Sequence, residues 1–210
     1  MSKIFNFNDI EKIKSNKIVF FDFGANVGAI TEIVSKLKNN IKIFSFEPVL
    51  KNFNILKNKF KKNNSIKLEN KAVWFENKKN NFSVGRKNNH TNSKFTKIIN
   101  DLNYNKQKYI DMYEVECIDI SQYMKNLNLK NKYVIVKMDI EGAEYEVLSH
   151  MIKTDIISVI DILLIEFHRE PNEGIIKKIT NDIFEIKNKI KIYKEVEPGK
   201  FKEIKRFSIR

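Results

Sequence analysis

Four short polar clusters interrupt otherwise apolar runs in this chain of 210 residues, and each holds residue types that can do chemistry. They are D-F-G-A-N-V-G from Asp22 to Gly28, the Glu47-Pro48 pair that closes I-K-I-F-S-F-E-P, D-I-E-G-A-E from Asp139 to Glu144, and E-F-H from Glu166 to His168. Carboxylates and imidazole accept protons and take hydrogen bonds from hydroxyls, and glycines let a backbone approach a ligand closely.

The glycine cluster narrows the ligand. It follows the apolar residues 18–21 and reads as a buried parallel strand running into a tight turn and a helix that opens near Ala29. Such a corner aims backbone N–H groups and a helix N-terminus at whatever sits above the strand end. Candidate contacts are Asp22, Gly24, Ala25, Asn26 and Gly28. A dinucleotide fingerprint asks for G-x-G-x-x-G, yet here the middle position is Asn26 and the last falls on Ala29. A ligand without a phosphate and with a cationic or amino-acid end fits better, and S-adenosylmethionine (SAM) leads the candidates; a turn that merely closes the corner is the alternative. Glu47 stands 23 residues after Gly24, near the roughly 20-residue spacing at which such folds carry a ribose-binding carboxylate. Pro48 stops that strand, and Ala72 and Val73, at the end of the next, would flank an adenine.

For proton transfer the candidates are Asp139, Glu141, Glu144, Glu166 and His168. Asp139 comes first, as base or as the carboxylate that orients an acceptor, with helix N-capping as its bland alternative; it also joins the cofactor set. Glu141 and Glu144 are expected in the first turn of a helix, where acidic residues suit the helix dipole. Glu166 and His168, two apart on a strand, would point to the same face. His150 reads as a packed or capping residue, and His90 as an exposed loop residue. Asp139 with Glu141 or Glu166 offers oxygen ligands to a divalent metal, though nothing in the spacing requires one.

These clusters need elements to bring them to one rim. Helical spacing of Ile30, Ile33, Val34 and Leu37 predicts a helix, residues 41–48 a strand, Phe53, Ile55, Leu56 and Phe60 a second helix, and residues 65–73 a third strand. Periodicity fails from 74 to 111, where N-K-K-N-N and R-K-N-N-H-T-N-S dominate; this reads as an ordered substrate-facing insertion carrying His90, Asn92 and Ser93, or else as a loose loop. Beyond it come a strand over 113–118, a short helix capped by Asp119, a buried strand over 133–138, a helix through Val147, Leu148 and Met151, a strand over 160–167, and a helix from Ile175 to Phe184. The basic tail reads as a hairpin around Pro198 and Gly199. Residues 1–16 form a brace over one sheet edge, with Asn8 or Asp9 as its cap. The alternation predicts a single α/β domain over 1–210, a doubly wound, mostly parallel, Rossmann-like sheet with an antiparallel C-terminal hairpin. Ligands then bind outside the carboxyl ends of the strands, where all four clusters collect.

Composition bounds the rest. One cysteine, Cys117, excludes an internal disulfide and a multi-cysteine metal site. The absence of a signal-like apolar segment and of any membrane-length run leads us to expect a cytoplasmic protein. The net charge of +13 invites a nucleic-acid reading, but only four of the 39 basic residues are Arg, and 27 Asn accompany the lysines, a chain-wide bias rather than a phosphate-reading patch. Nucleic acid is therefore not the expected partner.

The ordered set F-D-F-G-A-N-V-G, F-S-F-E-P, V-K-M-D-I-E-G-A-E-Y-E-V-L and L-L-I-E-F-H, spanning residues 18 to about 168, resembles the FkbM family of SAM-dependent methyltransferases. M-D-I-E-G-A-E is its most specific part. The resemblance implies a class I methyltransferase fold, SAM as cofactor and methylation of a hydroxyl, on a sugar, glycan or other small metabolite. D-I-E-G in place of N/D-P-P-Y/F argues against base methylation. An RNA ribose 2′-hydroxyl as acceptor and a catalytically silent SAM-binding or interaction domain are the other readings. The oligomeric state is not readable.

Overall fold

The computed structural model describes residues 4–87, 90–96, 109–168 and 173–205, with the backbone alone between residues 82 and 113. Along these residues run strands β1 (Ile4–Phe5), β2 (Ile18–Phe23), β3 (Ile41–Phe46), β4 (Ile66–Glu69), β5 (Ala72–Trp74), β6 (Lys78–Lys87), β7 (His90–Thr96), β8 (Tyr109–Asp119), β9 (Tyr133–Met138), β10 (Ile162–Ile165), β11 (Lys191–Glu197) and β12 (Lys200–Ile204). Helices α1 (Ala29–Leu37), α2 (Leu50–Phe60), α3 (Ile120–Lys125), α4 (Glu144–Lys153) and α5 (Glu173–Ile186) lie between them.

All six residues of β2 are buried, as a central parallel strand covered on both faces requires. Alternation sends Val19, Phe21 and Phe23 into one apolar cluster and Ile18 and Phe20 into the other, so the two cores are the two faces of one sheet. β2 pairs in parallel with β3 on one side and β9 on the other. The parallel run β4-β3-β2-β9-β10-β11 has the strand order of a doubly wound nucleotide-binding sheet, and the order reverses between β2 and β9. β11 and β12 form the expected antiparallel hairpin, and β1 pairs with β12 at the far edge. No helix among the described residues is long and apolar enough to cross a membrane.

Three expectations change. Residues 65–73 are not one strand: β4 closes the main sheet, whereas β5 pairs with β8 in a second sheet of order β5-β8-β6-β7. The break falls at Asn70, whose side-chain amide donates to the carbonyls of Glu47 (2.8 Å) and Pro48 (3.0 Å). Residues 78–87 and 90–96, which lack apolar periodicity, form the antiparallel strands β6 and β7, with β6 paired to β8. Lys78, Lys79 and Asn81 are exposed, so no alternation marks the ribbon in the sequence. The side chains of His90, Asn92 and Ser93 lie outside the described residues. At the N-terminus the short helix is a 3-10 turn over Phe7–Lys12, capped by Asn6 rather than Asn8 or Asp9; Asp9 closes the reciprocal half of the capping box.

The sheet's two halves meet at Gly24. Its φ is +79°, and a Cβ there would stand 1.8 Å from the carbonyl oxygen of Asp139. Gly199 in the hairpin turn shares the left-handed backbone (φ +74°) with nothing within 4 Å of a Cβ. Alanine at 199 should therefore cost only the conformational penalty of about 1–2 kcal/mol, and alanine at 24 several times more. Urea-denaturation midpoints of Gly24→Ala and Gly199→Ala test this, and equal shifts would refute the close-approach argument.

Candidate active site

The glycine turn is braced from within. The N–H groups of Gly24 and Ala25 donate to the Phe46 carbonyl (3.1 and 2.9 Å), that of Gly28 to the Ala25 carbonyl (2.8 Å), and that of Asn26, at φ +51°, to Glu47 Oε2 (2.8 Å). The expectation that these N–H groups reach toward a ligand is thus corrected, because each already has a partner in the chain. Gly28 opens α1 and packs toward Leu56 and Phe60. What a ligand meets is a narrow cleft beside the turn, lined by Gly24, Phe46, Glu47, Pro48, Lys71, Ala72, Val73, Asp139, Ile140, Glu141 and Ala143. Seven of the residues singled out in the sequence converge there: Gly24, Glu47, Pro48, Ala72, Val73, Asp139 and Glu141. The cleft measures only about 40 Å³, against roughly 300–1,000 Å³ for a small-molecule pocket, too little to enclose a nucleoside-sized ligand.

Glu47 is 2% exposed. Its Oε1 accepts the Val49 N–H (2.8 Å) and its Oε2 the Asn26 N–H, so this carboxylate ties the glycine turn to the start of α2. Burial pushes Glu47 up to about 7, against the hydrogen bonds from Val49, Asn26 and Asn52.

Asp22 lies beneath the cleft rather than in it. It is fully buried, accepts from the Thr31 hydroxyl at 2.7 Å, and sits in register with Ser45 of β3 and Lys137 of β9. Lys137, 5% exposed, was not a candidate from the sequence. Its Nζ stands 3.6 Å from Asp22 Oδ1 and donates to the Gly24 carbonyl (3.2 Å) and to Asp139 Oδ2 (3.0 Å). Burial alone would strip its proton, but Asp22 and Asp139 outweigh that and hold the ammonium charged. A lone Lys in the apolar run Y-V-I-V-K-M, opposite a lone Asp in I-V-F-F-D-F, is the signal that would have found it.

Asp139 continues the ladder beyond β9, its N–H donating to the Phe23 carbonyl at 3.1 Å. It does not cap α4, which starts five residues later, and Glu141 stands in the turn before that helix at φ +56° rather than within its first turn. Glu144, in the helix and fully buried, accepts from the N–H groups of Ile140 (3.2 Å) and Gly142 (3.1 Å) and meets His168 Nδ1 at 3.0 Å, all through Oε1. Among the described residues its Oε2 has no hydrogen-bond partner. His168, beyond the end of β10, turns Nε2 toward Glu141 Oε2 (3.5 Å), Glu166 Oε1 (3.5 Å) and Asp139 Oδ1 (3.7 Å). Burial would lower its pKa, but the Glu144 hydrogen bond and the surrounding carboxylates raise it to about 9. The Glu144 contact at Nδ1 leaves Nε2 as the ring atom that faces the rim. Burial likewise raises Glu141 to about 7, with His168 opposing the rise and the neighbouring carboxylates adding to it. Glu195 of β11 adds a carboxylate that the sequence reading passed over; burial and its hydrogen bond with Glu166 raise it to about 7. His150 sits apart, 3.0 Å from the Asp119 carboxylate that caps α3, in the packing role expected of it.

Comparison with known families matches residues 22–195, from Asp22 to the first residues of the C-terminal hairpin, to the profile described as Methyltransferase FkbM domain. No curated protein matches the chain.

The folded state holds the Glu47 proton more tightly than the unfolded chain does, where the carboxyl titrates near 4.5. Its contribution to stability is therefore full below about 4.5 and is lost as pH rises through about 7. Between about pH 5 and about pH 8 the urea midpoint of the wild type should fall by more than that of Glu47→Gln, which cannot ionise; equal falls would show that Glu47 does not titrate in this range.

Proposed function

The chain belongs to the FkbM methyltransferase family, and from that premise we propose that it transfers a methyl group from SAM to a hydroxyl of a sugar, glycan or other small metabolite. The observation that carries this reading is the position of the cleft. It lies at the point where strand order reverses, with Gly24 and Glu47 on one wall and Asp139 and Glu141 on the other, the place where doubly wound sheets take their ligands. Gly24, Glu47, Pro48, Ala72 and Val73 are the residues to hold the cofactor, with Ala25, Asn26 and Gly28 shaping the turn and Asp22 supporting it through Lys137. When bound, SAM supplies an electrophilic methyl group on a sulfonium.

The chain's own task is placement. Holding an acceptor oxygen at near-attack distance is worth roughly 7–11 kcal/mol. Asp139 suits the acceptor-orienting role, because Lys137 fixes Oδ2 and leaves Oδ1 facing the rim. The hydroxyl proton passes to the rim carboxylates; Glu166, the most exposed of them and hydrogen-bonded to Glu195, offers a way out to solvent. An RNA acceptor would bring its phosphates against Asp139, Glu141, Glu166 and Glu195, a rim that repels them. The cytoplasmic placement expected from the sequence accords with a small-metabolite acceptor.

Isothermal calorimetry should detect SAM binding to the full chain, and absence of binding would overturn the proposal. Transfer of labelled methyl from SAM to a panel of sugars and polyols should fall by about 10²–10⁴ in Asp139→Asn with SAM binding retained. Unchanged transfer would remove Asp139 from the reaction, and transfer to RNA alone would make the ribose reading correct.

A further inference from the structure

We infer that the rim binds one divalent transition-metal ion, of the Mn²⁺ or Zn²⁺ class, through His168 Nε2, Asp139 Oδ1 and Glu141 Oε2. One ligand atom from each of these three residues lies within 4.8 Å of the others. Nε2 lies 3.5 Å from Glu141 Oε2 and 3.7 Å from Asp139 Oδ1. Donors that share a tetrahedral ion at about 2.0–2.1 Å stand about 3.3–3.4 Å apart, so a small shift brings these atoms onto one centre.

Two buried groups outside this set orient the ligands. Glu144, fully buried, is aimed at the imidazole and meets Nδ1 at 3.0 Å, while its Oε2 has no hydrogen-bond partner among the described residues. An Nδ1–H donated to Glu144 fixes the tautomer that turns the Nε2 lone pair to the rim, the carboxylate–histidine–metal arrangement in which an outer carboxylate sets the ring. Lys137 does the same for Asp139, holding Oδ2 at 3.0 Å so that Oδ1 faces Nε2. The strained backbone of Glu141, at φ +56°, brings the third ligand to the same place. An imidazole nitrogen with two carboxylate oxygens suits Mn²⁺ or Zn²⁺ better than Mg²⁺ or Ca²⁺, which favour oxygen alone. Glu166 is left outside the ligand set. What the ion does there rests on the proposed methyl transfer: it takes the acceptor hydroxyl as a further ligand and eases breaking of its O–H bond, the proton passing to the Glu166 carboxylate. That the ion binds does not rest on it.

The full chain, stripped with chelator and dialysed, is titrated with MnCl₂ by electron paramagnetic resonance and with ZnCl₂ by calorimetry. We expect one ion per chain, bound at least about tenfold more weakly in Glu141→Gln, His168→Gln and Glu144→Gln. In the wild type, substoichiometric Mn²⁺ should broaden the His168 ring resonances first, a readout that needs no variant to fold. No uptake at millimolar metal, equal affinity in every variant that keeps the wild-type circular dichroism, or broadening centred away from His168 would each overturn the inference. SAM binding measured on the same samples separates the two proposals: SAM without metal sinks the metal site alone, and metal without SAM sinks the methyltransferase reading alone.

Discussion

A single ammonium group joins the parts of this fold that matter for chemistry. Lys137, buried in β9, touches the carbonyl of Gly24 at the end of β2, lies beside Asp22 in the same strand, and holds Asp139 at the end of its own. A charge with so little access to water survives only among partners that replace its hydration. The partners are as dependent on it, since removing one member of a buried ionic cluster strands the others at a cost of about 3–5 kcal/mol. The tight approach of the Gly24 backbone to the Asp139 carbonyl, which no side chain at 24 would allow, brings both strand ends within reach of the ammonium.

From this node the acidic residues divide into two kinds. Asp22, Glu47 and Glu144 are buried and accept from backbone or hydroxyl groups: Glu47 ties the glycine turn to α2, Asp22 ties β2 to Thr31 of α1, and Glu144 ties the turn before α4 to His168. Asp139, Glu141 and Glu166 reach the rim and converge on one imidazole edge. A carboxylate that anchors backbone N–H groups cannot also move freely with a substrate, and one that faces solvent adds little to stability. The fold therefore keeps its backbone-anchoring acids inside and its rim acids at the mouth, and in Glu141 and Glu144 the two kinds stand three residues apart in the chain.

Much of this was legible before any coordinates. The alternation of strands and helices, the hairpin around Gly199, the strand-end position of Glu47 and the convergence of D-F-G-A-N-V-G with D-I-E-G-A-E all follow from apolar runs punctuated by glycine and carboxylate, signals that local physics writes directly into sequence. What stayed hidden depends on pairing between distant segments. β4 and β5 are separated by two residues and share no periodicity break, yet Asn70 turns the chain from one sheet to another by bonding to carbonyls more than twenty residues away. The β6–β7 ribbon is legible only through its register with β8, because its exposed face carries Lys and Asn where alternation would otherwise show. Lys137 gained its meaning only from the parallel register that sets it opposite Asp22. The partner of His168 Nδ1, Glu144 on a different element, was equally hidden.

The charge balance at the rim bears on catalysis as well as on folding. In the proposed reaction the positive charge of the sulfonium disperses as the methyl group leaves, so an uncompensated carboxylate beside it would favour the ground state over the transition state and slow transfer. Rim carboxylates help only if their charge is turned toward the acceptor, where negative charge develops as the hydroxyl loses its proton, and only if enough of it is already neutralised. Lys137 on Asp139, and the imidazole edge among Asp139, Glu141 and Glu166, supply that neutralisation at the rim itself. On this argument the arrangement around His168 matters for what it removes from the rim's field as much as for any proton it could move.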